Sequence, residues 1–200
     1  MDDQRRHAPA TQRNREPILE VLRRVLPEHG TVLEIAAGTG EHAVFFSAAL
    51  PGLAWQPTDA DASCLDSIAA WVRLEGNPNL LAPLHLDATS NAWPVREADA
   101  VFNANMIHIS PWEACLGLLR GAGRTLRSGG VLVLYGPYRI DGEHTAPSNA
   151  AFDTDLRSRN PTWGVRDLEE VIRIADGEGL AFEQRIAMPA NNQTLVFRRR

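Results

Sequence analysis

Short apolar runs alternate along this chain with stretches whose apolar residues recur every three or four positions. Residues 17–26 (PILEVLRRVL) have the second pattern with proline first, and predict an amphipathic helix ended by residues 27–30. Residues 32–35 form a first strand, 41–50 a helix, 53–57 a second strand, and 62–75 a helix closed by Gly76, Asn77 and Pro78. A third strand covers 80–86 and ends at Asp87; a fourth starts over 100–103. Residues 111–127 read as a helix weakened by Gly117, Gly121 and Gly123 and ended by Ser128, Gly129 and Gly130. Residues 131–135 are a wholly apolar fifth strand, 165–178 a last helix, and 180–188 and 194–199 two closing strands. Strands that are apolar throughout belong to a parallel sheet buried on both faces. The pattern predicts a doubly wound, Rossmann-like α/β fold in a single domain over 1–200, with a polar N-terminal arm (1–16) and an irregular, polar insert (136–165).

The tightest turn follows the first strand, in TVLEIAAGTGEHAVFF (31–46). In an open parallel sheet, ligands bind beyond the carboxyl ends of the strands, where strand order reverses. Gly38 and Gly40 permit close backbone approach there. A dinucleotide is one candidate: residues 38–43 formally fit G-x-G-x-x-G/A, and Asp59 lies 19 positions after Gly40. Glu34, just before the glycines, weighs against it, because a carboxylate repels a pyrophosphate. A ligand bearing an amino group and a sulfonium welcomes a carboxylate, and S-adenosylmethionine is such a ligand.

Bulk composition narrows the partners. The 200 residues carry 20 basic and 25 acidic side chains, a net charge of −5, which argues against a nucleic-acid binder. All the basic residues are arginine, so lysine Schiff-base chemistry and a P-loop lysine are excluded. Cys64 and Cys115 have no metal-ligand spacing and fit a reducing cytoplasm. No apolar run approaches the ~18 residues of a membrane span. Cytoplasmic localisation, a small-molecule partner and no metal are therefore expected.

Residues 34–40 (EIAAGTG) resemble motif I, E/D-x-G-x-G-x-G, of the class I S-adenosylmethionine-dependent methyltransferases, with Ala36 in place of the first glycine. The resemblance extends to Asp59, where that superfamily holds the ribose hydroxyls, and to Asp87 and Ala88, where it reads the adenine edge. It also implies a seven-stranded sheet with an antiparallel last strand. PATQRNREPIL, NANMIHISPW, the whole of 136–167 and MPANNQTLVF are together similar to a small methyltransferase-like family of the methyltransferase-like protein twenty-six type, long known only as a domain of unknown function. Fold and cofactor follow from this resemblance; an acceptor does not.

Each candidate has a plainer reading beside it. Glu34 is read as a cofactor carboxylate, against a buried acid paired with arginine or capping a turn. Asp59 is read as a cofactor contact, against a helix cap; Asp87, against a strand end. Asn103, Asn105, Met106 and His108 follow the fourth strand, where the superfamily faces methyl group and acceptor. The N/D-P-P-Y/F signature of amine methylation is absent there. His108 is a candidate general base, against a histidine bonded beneath a loop; Met106 is a cofactor contact or packing. Asn14 is expected to fold over the cofactor. In the insert, Tyr138, His144, Asn149, Phe152 and Trp163 are expected to line the acceptor side of a lid. The alternatives are a nicotinamide-dependent oxidoreductase and a non-catalytic S-adenosylmethionine-binding protein.

Overall fold

A computed structural model describes residues 4–200. In chain order, helix α1 (Pro9–Val25) leads into β1 (Gly30–Ile35), α2 (Glu41–Ala49), β2 (Leu53–Asp59), α3 (Ala62–Glu75) and β3 (Leu84–His85). Next come β4 (Ala98–Ala104), α4 (Trp112–Thr125), β5 (Leu126–Gly136), β6 (Tyr138–Ile140), β7 (Glu143–His144) and α5 (Pro147–Arg159). The chain closes with β8 (Arg166–Asp167), α6 (Leu168–Gly177), β9 (Leu180–Ala187) and β10 (Gln193–Arg199). Seven strands form one sheet in the order β3-β2-β1-β4-β5-β10-β9. Its pairings are parallel except those of β10, which runs antiparallel to both β5 and β9. This is the expected fold class, and strand order reverses between β1 and β4.

Successive residues of a strand point to opposite faces, and here each face meets helices. Val32 joins an apolar cluster with Leu22, Phe46, Trp55 and Phe102. Leu33 joins another with Val101, Leu118, Leu134 and Val171. Burial on both faces is why the strands read as unbroken apolar runs. The glycines of α4 serve close packing: a Cβ on Gly117 would collide with the Ala88 backbone, and one on Gly121 with the Trp93 ring. No helix of the described residues is long and apolar enough to cross a membrane.

Several boundaries differ from the sequence expectations. Helix α1 begins at Pro9, so half of the expected arm is helical and Pro17 lies inside a helix, where its missing N–H removes one backbone bond. Third-strand pairing shrinks to Leu84–His85, because Pro83 has no N–H for a ladder; Leu80 makes only an isolated bridge to Trp55. Strand β5 starts at Leu126 and runs through the expected stop, with Gly129 at φ 79° and a register slip against β4 between Ala98 and Ala100. The insert is not irregular. It holds β6, β7 and the 13-residue α5, and β7-β6-β8 form a small sheet of their own.

Candidate functional site

The turn after β1 is braced from behind. Thr58 Oγ1 donates to the Glu34 carbonyl at 2.7 Å, and Asn103 Nδ2 to the Ile35 carbonyl at 2.8 Å. Ala37 N–H donates to the Thr58 carbonyl at 2.8 Å. The chain then turns through Ala36 (φ 55°), Gly38 (φ 59°) and Gly40 (φ 91°). The left-handed conformation costs an L-residue about 1 kcal/mol, a cost that Ala36 carries where glycine is usual. Gly40 packs on α3, its Cβ position only 3.0 Å from Ile68 Cα, whereas the same position on Gly38 meets open space.

Three carboxyl groups surround this turn. Asp59 accepts from Gly38 N–H and Asp61 N–H, both at 2.9 Å, and so ties the turn to the start of α3. The helix-cap alternative falls to a neighbour, since Asp61 is the cap and accepts from Ser63 N–H at 2.7 Å. Glu41, at the start of α2, accepts from Ala8 N–H at 2.6 Å and bonds His7 Nδ1 at 3.0 Å, which seats the N-terminal segment on the α2 terminus. Glu34 is buried and accepts from Trp55 Nε1 at 2.7 Å. Burial pushes its carboxyl up from 4.5 to about 7, the Trp55 bond opposing and the Asp59 charge adding to the rise.

That shift has a measurable sign. A folded-state pKa above the unfolded one means the Glu34 contribution is complete below pH 4.5 and is lost as pH rises through about 7. Glu34→Gln keeps an acceptor for Trp55 but does not titrate. Between pH 4.5 and 8 the stability of the parent should fall relative to Glu34→Gln by about 2–3 kcal/mol, read by urea denaturation at both pH values. A constant difference would make Glu34 an ordinary ionised acid.

Beyond the carboxyl ends of β4 and β5 lies a cavity of about 840 Å³. Helix α1 contributes Arg13, Asn14 and Pro17 to its wall, the β4–α4 loop Asn105 and Ile109, and the β5 end Tyr135 and Pro137. Helix α5 adds Ser148, Asn149, Phe152 and Arg159, and the turn before β10 adds residues 189–192. Asn14 Oδ1 bonds His42 Nε2 at 2.9 Å, and burial raises the Tyr135 phenol against the opposing pull of the Asn14 side chain and the Arg13 charge. Burial and the Arg15 charge drive His42 down to about 4 against the pull of Glu41, so its ring is neutral at pH 7.

The expected site residues separate into groups. Glu34, Ala36, Gly38, Gly40, Asp59 and Asn103 gather at the turn; Asn103 is buried and its Oδ1 has no partner. Asp87 is exposed and accepts from Thr89 N–H and Oγ1, both at 2.8 Å, while Ala88 is buried against Gly117. Asn14, Asn105, Asn149 and Phe152 reach the cavity. Met106 belongs to an apolar cluster and lies 3.3 Å from Ser110 Oγ.

The others do not reach the cavity wall. His108 is fully buried with its Nδ1 taking Arg166 N–H at 3.3 Å; burial and the Arg166 charge press it down to about 3. Tyr138 is also fully buried, edge-on to the His108 ring at 4.9 Å, so it is core and not a cavity aromatic. His144 sits 3.6 Å from Asp153, and Trp163 lies beneath the Arg159 guanidinium. Sequence reading gave no site role to Tyr135, Arg159 or residues 189–192. The one signal in the last was Asn191-Asn192, a pair suited to left-handed turns; Asn191 has φ 59°.

A model of the family described as DUF938, protein of unknown function, matches residues 5–199. The chain belongs to that family. Solved structures with the same fold include the S-adenosylmethionine-dependent methyltransferase SibL in its apo form, 21% identical with a TM-score of 0.78, covering 95% of this chain and 55% of that one. PigF with SAH is 16% identical with a TM-score of 0.78, over 94% and 56%. An O-methyltransferase family 2 protein from Planctomyces limnophilus in complex with apigenin is 20% identical with a TM-score of 0.73, over 93% and 62%. The DUF938 chain thus spans little more than half the length of these structures, and at such identities the likeness is one of fold.

Proposed function

We propose that this DUF938 protein is an S-adenosylmethionine-dependent methyltransferase acting on a small molecule, with the narrower kinship to the methyltransferase-like protein twenty-six type as part of that reading. The observation that carries it is the acidity of the glycine turn. Asp59 and Glu41 lie around it, Glu34 is buried behind it where a nearby cation would favour its carboxylate form, and Glu41 with its arm contacts holds the α2 terminus where a pyrophosphate would sit. The unpartnered Asn103 Oδ1 adds a buried acceptor behind the turn. These groups suit a cationic ligand and work against a nicotinamide dinucleotide, so the oxidoreductase alternative is not favoured.

Asp59 would hold the ribose, Glu34 and Asn103 the amino end, Ala36 and Gly38 the close backbone approach, Asp87, Ala88 and Met106 the adenine side, and Asn14 would close over the cofactor. Bound there, S-adenosylmethionine would supply a methyl group activated by its sulfonium for transfer to an acceptor lone pair. The chain's work is then positioning and drying the cavity, where Tyr135, Asn105 and Asn149 orient the acceptor. His108 would act by supporting the loop that carries Asn105. Residues 136–165, through α5, would cover the acceptor side as a lid, with His144 and Trp163 bracing it. A cytoplasmic enzyme is the setting this chemistry fits.

Titration calorimetry and thermal shift test the cofactor. S-adenosylhomocysteine should bind and, at 100 times its Kd, stabilise by about 2.7 kcal/mol, with no response to NAD. Binding of NAD alone would overturn the reading. Binding with no transfer to any acceptor from a panel of small molecules would favour a non-catalytic S-adenosylmethionine-binding protein.

A further inference from the structure

The cavity beside the turn has a charge character opposite to that of the chain. Its wall holds two arginines, Arg13 and Arg159, and no Asp or Glu, in a chain of net charge −5. Arg159 already has company, stacking on Trp163 and lying 3.8 Å from Asp155. Arg13 has neither a hydrogen bond nor an ion pair to an acid among the described residues, and its charge is felt at the Tyr135 hydroxyl.

The polar chain behind Tyr135 runs in one direction. Asn14 Oδ1 can only accept, so the proton of the neutral His42 ring sits on Nε2. The Asn14 amide N–H groups are then the ones that can face the Tyr135 oxygen, in keeping with the downward pull of Asn14 on a phenol that burial raises. Tyr135 therefore keeps its own O–H for a further acceptor, on a residue that lines the cavity. A guanidinium without an acid and a hydroxyl with a proton to give thus line the same cavity as the apolar Phe152, Ile109 and Pro17.

We infer that the cavity takes a small organic carboxylate, its charge held by Arg13 and the Tyr135 hydroxyl and its apolar body against Phe152 and Ile109. Calling that ligand the methyl acceptor rests on the proposed function; the anion site itself does not. The carboxylate has two possible sources, an acceptor or the amino-acid end of the cofactor, and the experiment separates them.

The probe is 4-hydroxyphenylacetate, compared with its uncharged amide by calorimetry on the whole chain, with and without saturating S-adenosylhomocysteine. The acid should bind at least about fivefold tighter than the amide in both states. That preference should vanish in Arg13→Gln and persist in Arg173→Gln, a control on the exposed face of α6. Equal affinity of acid and amide, no binding of the acid, or an unchanged preference in Arg13→Gln overturns the inference. So does displacement of the acid by S-adenosylhomocysteine together with weakened S-adenosylhomocysteine binding in Arg13→Gln, which would assign Arg13 to the cofactor carboxylate. If S-adenosylhomocysteine does not bind yet the acid is still preferred, the methyltransferase reading fails and the anion site stands.

Discussion

Replacing Asp59 with alanine is expected to weaken S-adenosylhomocysteine binding at least about tenfold and to lower folding stability by about 1–2 kcal/mol. Both effects come from the same two oxygens. One accepts Gly38 N–H and the other Asp61 N–H, so alanine removes a buried acceptor and leaves a half-buried donor on Gly38 and a donor on the exposed Asp61 that water can reach. Each unpaired donor costs about 1–3 kcal/mol, reduced where water can enter. Losing the Gly38 bond also frees a turn in which Ala36 is held in a left-handed conformation that it does not prefer. Cofactor affinity then falls twice, once through the missing ribose contact and once through the cost of reordering the turn. Asp59→Asn separates the two: it keeps one acceptor but sets an amide N–H against a backbone N–H, so it should be nearly as damaging to stability. Calorimetry and urea denaturation on the same samples decide. Stability lost with affinity retained would leave Asp59 as a brace of the turn and take it out of the cofactor site.

The parts of the site that were legible in the sequence are those whose chemistry is local. Gly38 and Gly40 mark a turn because of what glycine permits, and Glu34 and Asp59 sit at strand ends fixed by short apolar runs. The acceptor side was less legible, and α5 explains why. Its buried positions are Asn149, Asp153 and Leu156, spaced as one helix face. Two of the three are polar and are satisfied by hydrogen bonds: Asp153 takes Val165 N–H at 2.7 Å and Arg157 Nε at 3.0 Å, and Asn149 donates to Thr145 Oγ1 and the Asn191 carbonyl. A helix seated through hydrogen bonds has no apolar period to read. The extension of α1 to Pro9 was hidden in the same way, since its first eight residues carry little apolar content and Pro17 mimics a start. His108 and Arg166 show a third limit. Arg166 donates to the Ile107 and Ser110 carbonyls at 2.7 and 2.6 Å, a cross-link between segments 56–59 residues apart that no local pattern encodes.

The two tyrosines near the end of β5 give the last test, because sequence reading assigned the cavity to Tyr138 and the structure gives it to Tyr135. Alternation along the strand does not distinguish them, since both faces of the sheet are buried. Tyr138 lies in the apolar cluster of Leu134, Met106 and Leu168, fully buried, with its hydroxyl unpartnered and burial holding the phenol well above 10. Tyr138→Phe removes an unsatisfied polar group and little volume, so stability should hold or rise by up to about 1 kcal/mol. Tyr138→Ala opens a cavity against His108 and should cost about 3–5 kcal/mol, a large share of the ~5–15 kcal/mol that holds a domain together. At about 2–4 °C per kcal/mol for a chain of this size, Tm should fall by about 6–20 °C. Affinity for 4-hydroxyphenylacetate should be untouched by Tyr138→Phe, whereas Tyr135→Phe, which deletes the hydroxyl facing the cavity, should weaken it. The opposite result, a Tyr138→Phe protein of parental stability that no longer binds the acid, would return Tyr138 to the acceptor side and require the insert to rearrange when a ligand enters.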